Sequence, residues 1–438
     1  MDKKEMYAES ERMRVMWLSI NASLFNIEKT SGGWTSSLEA ALKKYHGEEM
    51  KIAVVYEGSE SSSGSRTPEK HTCDGSVYYR ISNRSSMPSK ALRRPDAYDR
   101  WEYIRPEILA AIEDFEPDII QCFGSEWPYG MITADVDIPV VIHMQGFLNA
   151  YAMSGKLLPR NDSMRRLIGS HVPQKIKRHI RTADRQEELE RETMRINHYF
   201  MGRTGWDKNL VKYFSPGSVY YHVPELIRHC FYDAAGTWKG ASSKDGDGRA
   251  RLLTVSQASP LKGNEIILYT AKILKEQTGT EFEWRVAGSP GMFRSAEKTT
   301  GINHRDVNIE LLGWINQDRI ISELQTADFF IHPSIIDNSP NAICEAQLIG
   351  CPVIASNVGG VPDLVESGRT GVLYPYNEPH TLAFIIAELK DQPWRLEELS
   401  RNESSAAHAR HDPQIVAEEV CRRYKEIISD HNKNKING

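Results

Sequence analysis

The chain has 438 residues, with 40% hydrophobic and 26% charged residues and a formal net charge of −5. This is the balance of a soluble globular protein of two or three domains, and it excludes a global positive field that would draw the chain to nucleic acid. No apolar run approaches the roughly 18 residues of a membrane-spanning helix. The six cysteines (Cys73, Cys122, Cys230, Cys344, Cys351, Cys421) are scattered without a C-x-x-C pair. That pattern predicts reduced thiols in a cytoplasmic protein rather than a disulfide frame or a zinc site.

The charged N-terminus lacks a signal-peptide core and predicts a disordered tail over residues 1–12. Short apolar strands then alternate with amphipathic helices, which predicts a parallel α/β architecture. Arg14–Ile20 reads as the first strand, followed by Gly32-Gly33, a helix over Thr35–Tyr45 and a strand over Lys51–Tyr56. Glu60–Arg66 is Ser/Gly-rich and predicts a flexible loop. Further strands are expected at Val77–Ile81, Asp118–Cys122, Val140–Met144, His198–Met201 and Val219–His222. The small, polar stretch Ala234–Gly248 reads as a linker. A second α/β series follows, with strands at 252–256, 283–287, 309–312, 328–332, 352–355 and 371–374. Two such halves predict two doubly wound domains facing a cleft, with ligands beyond the C-terminal strand ends.

The segment Ala327–Ser356 concentrates the chemistry. An apolar strand runs into a loop holding Asp337, a helix is expected to open at Ser339-Pro340, and a second apolar strand follows. Ser suits the N-cap, Pro the first helical position, and the free amides of a helix start bind anions. Glu345 stands among Ile343, Cys344, Ala346 and Leu348, where a carboxylate is costly unless something binds it. Together these residues suit a pocket for a phosphate, a sugar and a second hydroxyl-rich group.

This segment resembles the donor site of the retaining glycosyltransferases called group 1, or family 4. The resemblance rests on Asp337-x7-Glu345, with Asp where the family usually has Glu, and on His332-Pro333-Ser334 and the NSPNAICEA run. It extends to Pro352–Ser356, Val358-Gly359-Gly360-Val361-Pro362 and Gly368-x-x-Gly371, an ordered set over about forty residues. It implies the GT-B fold, two Rossmann-like domains facing a cleft, across about Met13–Leu389. The implied division is an N-terminal acceptor-side domain over 13–232, a linker over 233–249, a C-terminal nucleotide-sugar-binding domain over 250–412, and a last helix within 413–438 that crosses back to the first domain. The implied reaction moves a sugar from a nucleotide-sugar to an acceptor hydroxyl with retention and without a metal. It would serve glycan, glycolipid or polysaccharide biosynthesis, with the nucleotide-sugar as co-substrate and no cofactor.

The same resemblance distributes roles. Lys262, in SQASPLKG, would meet the donor diphosphate. Where the family usually carries an Arg five residues earlier, this chain has Gln257, so one expected cation is missing. Loss of a charge-assisted bond weakens an interaction by ~1.5–3 kcal/mol. Arg203 is the candidate substitute, and the competing reading ties it to Asp207 or another local acid. Asp337 would hold donor-sugar hydroxyls and Glu345 the nucleotide ribose. Asn338, Ser339, Pro340, Asn341 and Ala342 would present the helix start to phosphate, with Gly33 and Gly288 at glycine turns beside it. Gln145 occupies a position where the family often has His. It can hydrogen-bond a sugar hydroxyl but cannot act as acid or base. His143 is a secondary candidate, more often simply packed.

Asp135-x-Asp137 has the form of a D-x-D metal motif, but it precedes a strand, at the wrong sheet end for a ligand. The basic stretch over residues 160–185 suits either a solvated helix face or peripheral contact with anionic lipid at the inner membrane face. The alternatives to a transferase are a nucleotide-sugar epimerase or phosphorylase of the same build, and a non-catalytic partner subunit, which the Gln257 and Gln145 departures keep open.

Overall fold

A computed structural model describes residues 12–25, 33–58, 67–82, 96–157, 174–240, 248–256 and 259–437. The expected N-terminal tail, except for its last residue, the Glu60–Arg66 loop, Gly32 and Gln257 lie outside the described residues. So do 158–173 and the side chains to 182, most of the basic stretch considered for lipid. The described residues fall into two compact units, one drawn from Met1–Met153, Asp162–Leu226 and Asp412–Gly438, the other from Ser154–Asn161 and Ile227–His411.

The first unit holds an eight-stranded sheet ordered β3-β4-β2-β1-β5-β6-β7-β8. Its strands are β1 Met13–Ser19, β2 Met50–Gly58, β3 Glu69–Cys73, β4 Ser76–Ser82, β5 Ile119–Phe123, β6 Val140–His143, β7 Tyr199–Gly202 and β8 Val219–His222. All neighbours pair in parallel except β3 with β4. The β3 strand was not expected from the sequence. It forms a hairpin with β4 through Asp74-Gly75, both at positive φ, the geometry a two-residue Asp-Gly turn favours. Glu69, Lys70, Thr72 and Cys73 are exposed, so the apolar signal of a buried strand is missing there.

Helices cover both faces of this sheet, so β5 is buried along its whole length and β1 from Val15 onward. Trp17, Trp34, Tyr56, Tyr78 and Phe123 build one core cluster, and Trp101, Ile108, Phe115, Tyr129 and Phe147 another. The helix Pro413–Asn437 belongs to this unit despite its place in the chain. It packs Val416, Val420, Tyr424 and Ile427 into the first cluster. Its Tyr424 hydroxyl accepts from Trp17 Nε1 at 3.1 Å and donates to Gln121.

The second unit holds a six-stranded sheet ordered β11-β10-β9-β12-β13-β14. Its strands are β9 Ala250–Ser256, β10 Phe282–Gly288, β11 Ile309–Gly313, β12 Phe329–His332, β13 Val353–Ser356 and β14 Val372–Tyr374. Every pairing is parallel. Numbered within the unit, this is the order 3-2-1-4-5-6 of a dinucleotide-type fold, whose ligand crevice opens between the first and fourth strands. Those strands are β9 and β12. The chain enters this unit at Ile227, upstream of the stretch read as a linker. Phe231 is fully buried, and Trp238 Nε1 donates to the Ala327 carbonyl at 2.8 Å.

Candidate active site

Lys262 lies just after β9 and Asp337 just after β12, so the sheet order brings two positions 75 residues apart to the switch point. Lys262 Nζ donates to Asp337 Oδ2 at 2.5 Å. The same oxygen accepts from Ser334 Oγ at 3.3 Å and lies 3.1 Å from His332 Nε2. Burial alone would raise the Asp337 pKa, but Lys262 and His332 overcome it and hold the carboxyl well below the usual carboxylate range. Burial pushes His332 down, so at neutral pH its ring is uncharged. Since a carboxylate only accepts, the His332 Nε2 must carry the hydrogen.

Glycine positions fix this arrangement. Gly263, next to Lys262, has φ +71, and a Cβ there would lie 1.9 Å from the Pro333 carbonyl oxygen. Only glycine lets the Lys262 turn press onto the His332-Pro333-Ser334 loop. On the other side, Gly360 N donates to the Asp337 carbonyl at 3.0 Å, which places the Val358–Pro362 run against the acid.

The helix after Asp337 spans Asn341–Ile349 with Pro340 in the cap position, one residue later than the sequence suggested. Its ladder begins with Ile343 N to the Pro340 carbonyl at 2.9 Å, so Asn341 and Ala342 occupy the first turn, where amides have no intrahelical partner. Asn338 and Ser339 are buried at its entrance. Glu345 is also buried, and Arg228 answers its charge: Nε and Nη2 donate to Oε1 at 3.0 and 2.7 Å. Burial pushes the Glu345 pKa up and Arg228 opposes it.

Arg228 escaped the sequence reading. The signal was indirect: a carboxylate on an apolar helix requires a cation, and nothing local says which. Asn264 escaped it as well. It opens the helix after Gly263, and its Oδ1 is buried without a partner among the described residues. It shares a small pocket with Ser256, Gly288, Ser289, Phe293 and Gly313. Gly288 ends β10 with φ +140, its Cβ position 2.0 Å from the Ser256 carbonyl oxygen.

In the first unit, Gly33 opens the helix Gly33–His46 at φ +64, with nothing among the described residues within 4 Å of its Cβ position. Arg203 is buried, and its charge is answered by Glu225, with Nη1 3.2 Å from Oε1. Its Nε and Nη2 donate to the Met144 carbonyl at 3.3 Å, its plane lies over Trp34, and its own amide donates to Asp207 at 3.0 Å. The guanidinium therefore props the end of β6, just before the partly buried Gln145. His143 is packed beside Trp34 and Phe123, and burial, helped by Arg203, drives its pKa down to about 3. Its side chain remains a neutral ring.

The acid that sequence reasoning missed here is Glu126, in the loop after β5. Oε1 accepts from Gly146 N at 2.6 Å, while Oε2 is buried without a partner among the described residues. Burial pushes its carboxyl up to about 7, with Glu190 adding to the shift and the Gly146 amide opposing it. A Cβ at Gly146 would lie 2.4 Å from Oε1, so the Gln145-Gly146 turn is shaped to receive this acid. Asp135 and Asp137 are engaged elsewhere, Asp135 with Arg105 and Asp137 with Lys435 at 2.7 Å.

Residues 239–408 match the family described as Glycosyl transferases group 1. An amylovoran biosynthesis glycosyltransferase of Erwinia amylovora is 31% identical over 147 residues, 32% of this chain and 35% of that protein. A colanic acid biosynthesis glycosyltransferase, assigned putatively in Salmonella typhimurium, is 31% identical over 31% of this chain and 35% of its own length. The chain thus spans about a third of the length of the curated relatives it matches. Among solved structures, the sucrose-phosphate synthase of Thermosynechococcus elongatus superposes with a TM-score of 0.70 at 13% identity, covering 96% of this chain and 100% of that one. Anabaena HepE, in complex with UDP and glucose, superposes with a TM-score of 0.59 at 14% identity, covering 95% and 100%. With the two parallel sheets and the residues gathered between β9 and β12, these likenesses place the chain in the GT-B fold, and residues 239–408 match the group 1 glycosyltransferases.

Proposed function

We propose that the protein is a retaining, metal-independent glycosyltransferase that moves a sugar from a nucleotide-sugar to an acceptor hydroxyl in polysaccharide or glycolipid biosynthesis. One observation carries this reading: the Lys262–Asp337 pair stands at the switch point, beside the first amides of the helix Asn341–Ile349. The polysaccharide assignment draws on the amylovoran and colanic acid relatives.

In the proposed cycle the donor displaces the Lys262–Asp337 contact. Lys262 and the helix-start amides take the diphosphate, where charge accumulates as the bond to the sugar breaks. Asp337, freed from Lys262 but still bonded to Ser334 and His332, accepts from donor-sugar hydroxyls. Glu345 accepts from the ribose while Arg228 neutralises it. Glu225 already balances Arg203, so Arg203 is assigned to holding the β6 end rather than to replacing the missing cation. Gln145 and Glu126 are assigned to the acceptor, which Gln145 contacts by hydrogen bonding only.

A thermal-shift panel of UDP, GDP, ADP and their sugars tests donor recognition, because a ligand that binds only the native state raises its melting temperature. A stabilising nucleotide and transfer to an acceptor with unchanged anomeric configuration by NMR are expected. Inversion of the anomeric centre overturns the retaining part, and activity lost to chelator while the melting curve stays unchanged, then restored by a divalent ion, overturns the metal-free part. Turnover without acceptor would favour an epimerase, and no donor binding at all would favour a non-catalytic subunit.

A further inference from the structure

We propose that His46, Glu49 and Cys421, all within the first unit, form a binding site for a zinc-class divalent metal ion. One ligand atom from each residue lies within 4.8 Å of the other two. His46 ends the helix Gly33–His46, Glu49 sits in the turn into β2, and Cys421 lies midway along the helix Pro413–Asn437. The turn is held by Glu49 N donating to the His46 carbonyl at 3.0 Å. All three residues stand near the N-terminal end of β2, whereas Gln145 and Glu126 follow the C-terminal ends of β6 and β5. The site is therefore independent of the reaction proposed above.

Two observations point to a ligand. First, the three residues line a cavity of about 740 Å³ with Tyr221, Glu418 and Asp430 among its walls. Second, His46 Nδ1 lies 3.1 Å from Glu49 Oε1 while its Nε2 is buried with no partner among the described residues. An imidazole nitrogen, a thiol sulfur and a carboxylate oxygen suit zinc, and three protein ligands leave a fourth position open to the cavity. Tetrahedral coordination at zinc bond lengths separates ligand atoms by roughly 3.3–3.7 Å, so the group needs to contract by about 1.5 Å at most.

A cation already sits here. Lys425 Nζ donates to Glu49 Oε2 at 2.6 Å and bonds to Cys421. The Lys425 side chain is 57% exposed, so it can swing into solvent when a doubly charged ion arrives. Arg422 is already paired with Glu419 and Glu426. Burial raises the Cys421 pKa, and a bound metal removes its proton. The ion would tie the helix Pro413–Asn437 to the helix Gly33–His46 and to β2.

Titration of the reduced full-length chain with Co²⁺ tests this. The expected result is one equivalent bound, with a thiolate-to-cobalt charge-transfer band in the near ultraviolet and tetrahedral visible bands that Zn²⁺ abolishes. Cys421→Ser should lose the charge-transfer band. His46→Gln should weaken Zn²⁺ binding by about 10–100-fold, on the scale of lost metal-site interactions. Lys425→Met, which removes the competing ammonium and no ligand, should tighten it by about tenfold, the equivalent of one lost charge contact. Circular dichroism confirms that each variant is folded. The proposal is overturned if neither the native chain nor Lys425→Met shows the band, or if the band persists in folded Cys421→Ser.

Discussion

At the scale of single residues, each unit balances its buried charges before any substrate arrives. Lys262 is held by Asp337, Arg228 by Glu345 and Arg203 by Glu225. Lys262→Ala should lower transfer by about ten- to a hundredfold, the weight of one charge-assisted hydrogen bond at ~1.5–3 kcal/mol, with the melting curve intact. Full activity in the purified variant would contradict the mechanism. Folding lowers the Asp337 pKa, so this group stabilises the native state above its unfolded value near 4, and the contribution is lost as pH falls below that. Asp337→Asn should therefore flatten the acid limb of stability in urea melts at falling pH. Glu126 behaves in the opposite sense. Its pKa rises on folding from 4.5 to about 7, so the native state loses relative stability as pH climbs through that window. Glu126→Gln should remove this slope and be more stable at pH 8, by up to about 3 kcal/mol for a shift of that size. Equal pH dependence in the two proteins would place the carboxyl in a more polar setting than its burial implies.

At the scale of elements, the strands were legible because parallel strands covered on both faces must be apolar throughout. β9 and β12 lie within two residues of their expected bounds, and the partly exposed edge strand Val219–His222 matches its own through its β-branched and aromatic residues. The β3 hairpin was not, since its polar face offers only the Asp74-Gly75 turn as a cue. The last helix was legible as a helix, but its burial against β1 depends on Tyr424 meeting Trp17 and Gln121, contacts separated by 407 and 303 residues. Tyr424→Phe should destabilise the first unit by about 1–3 kcal/mol, because it leaves buried Trp17 and Gln121 groups unpaired. A denaturant melt with unchanged midpoint would show that water replaces the hydroxyl. Gly263→Ala should damage donor binding more than stability, since its Cβ position meets the Pro333 carbonyl that backs Asp337. Isothermal titration with the nucleotide identified by thermal shift measures this.

At the scale of the molecule, two doubly wound units each place chain turns at the C-terminal ends of their central strands, and that topology explains why the chemistry gathers there. The sequence by itself determined the alternation of strand and helix, the Asp337–Glu345 spacing and the candidate phosphate site, because period, glycine turns and helix starts are local properties. Tertiary structure alone decided that Arg228 faces Glu345, that Glu225 neutralises Arg203, and that Glu126 is sealed against Gly146. The physical reason is that a buried charge must find a partner, and the partner is chosen by where the sheet order returns the chain rather than by any spacing along it.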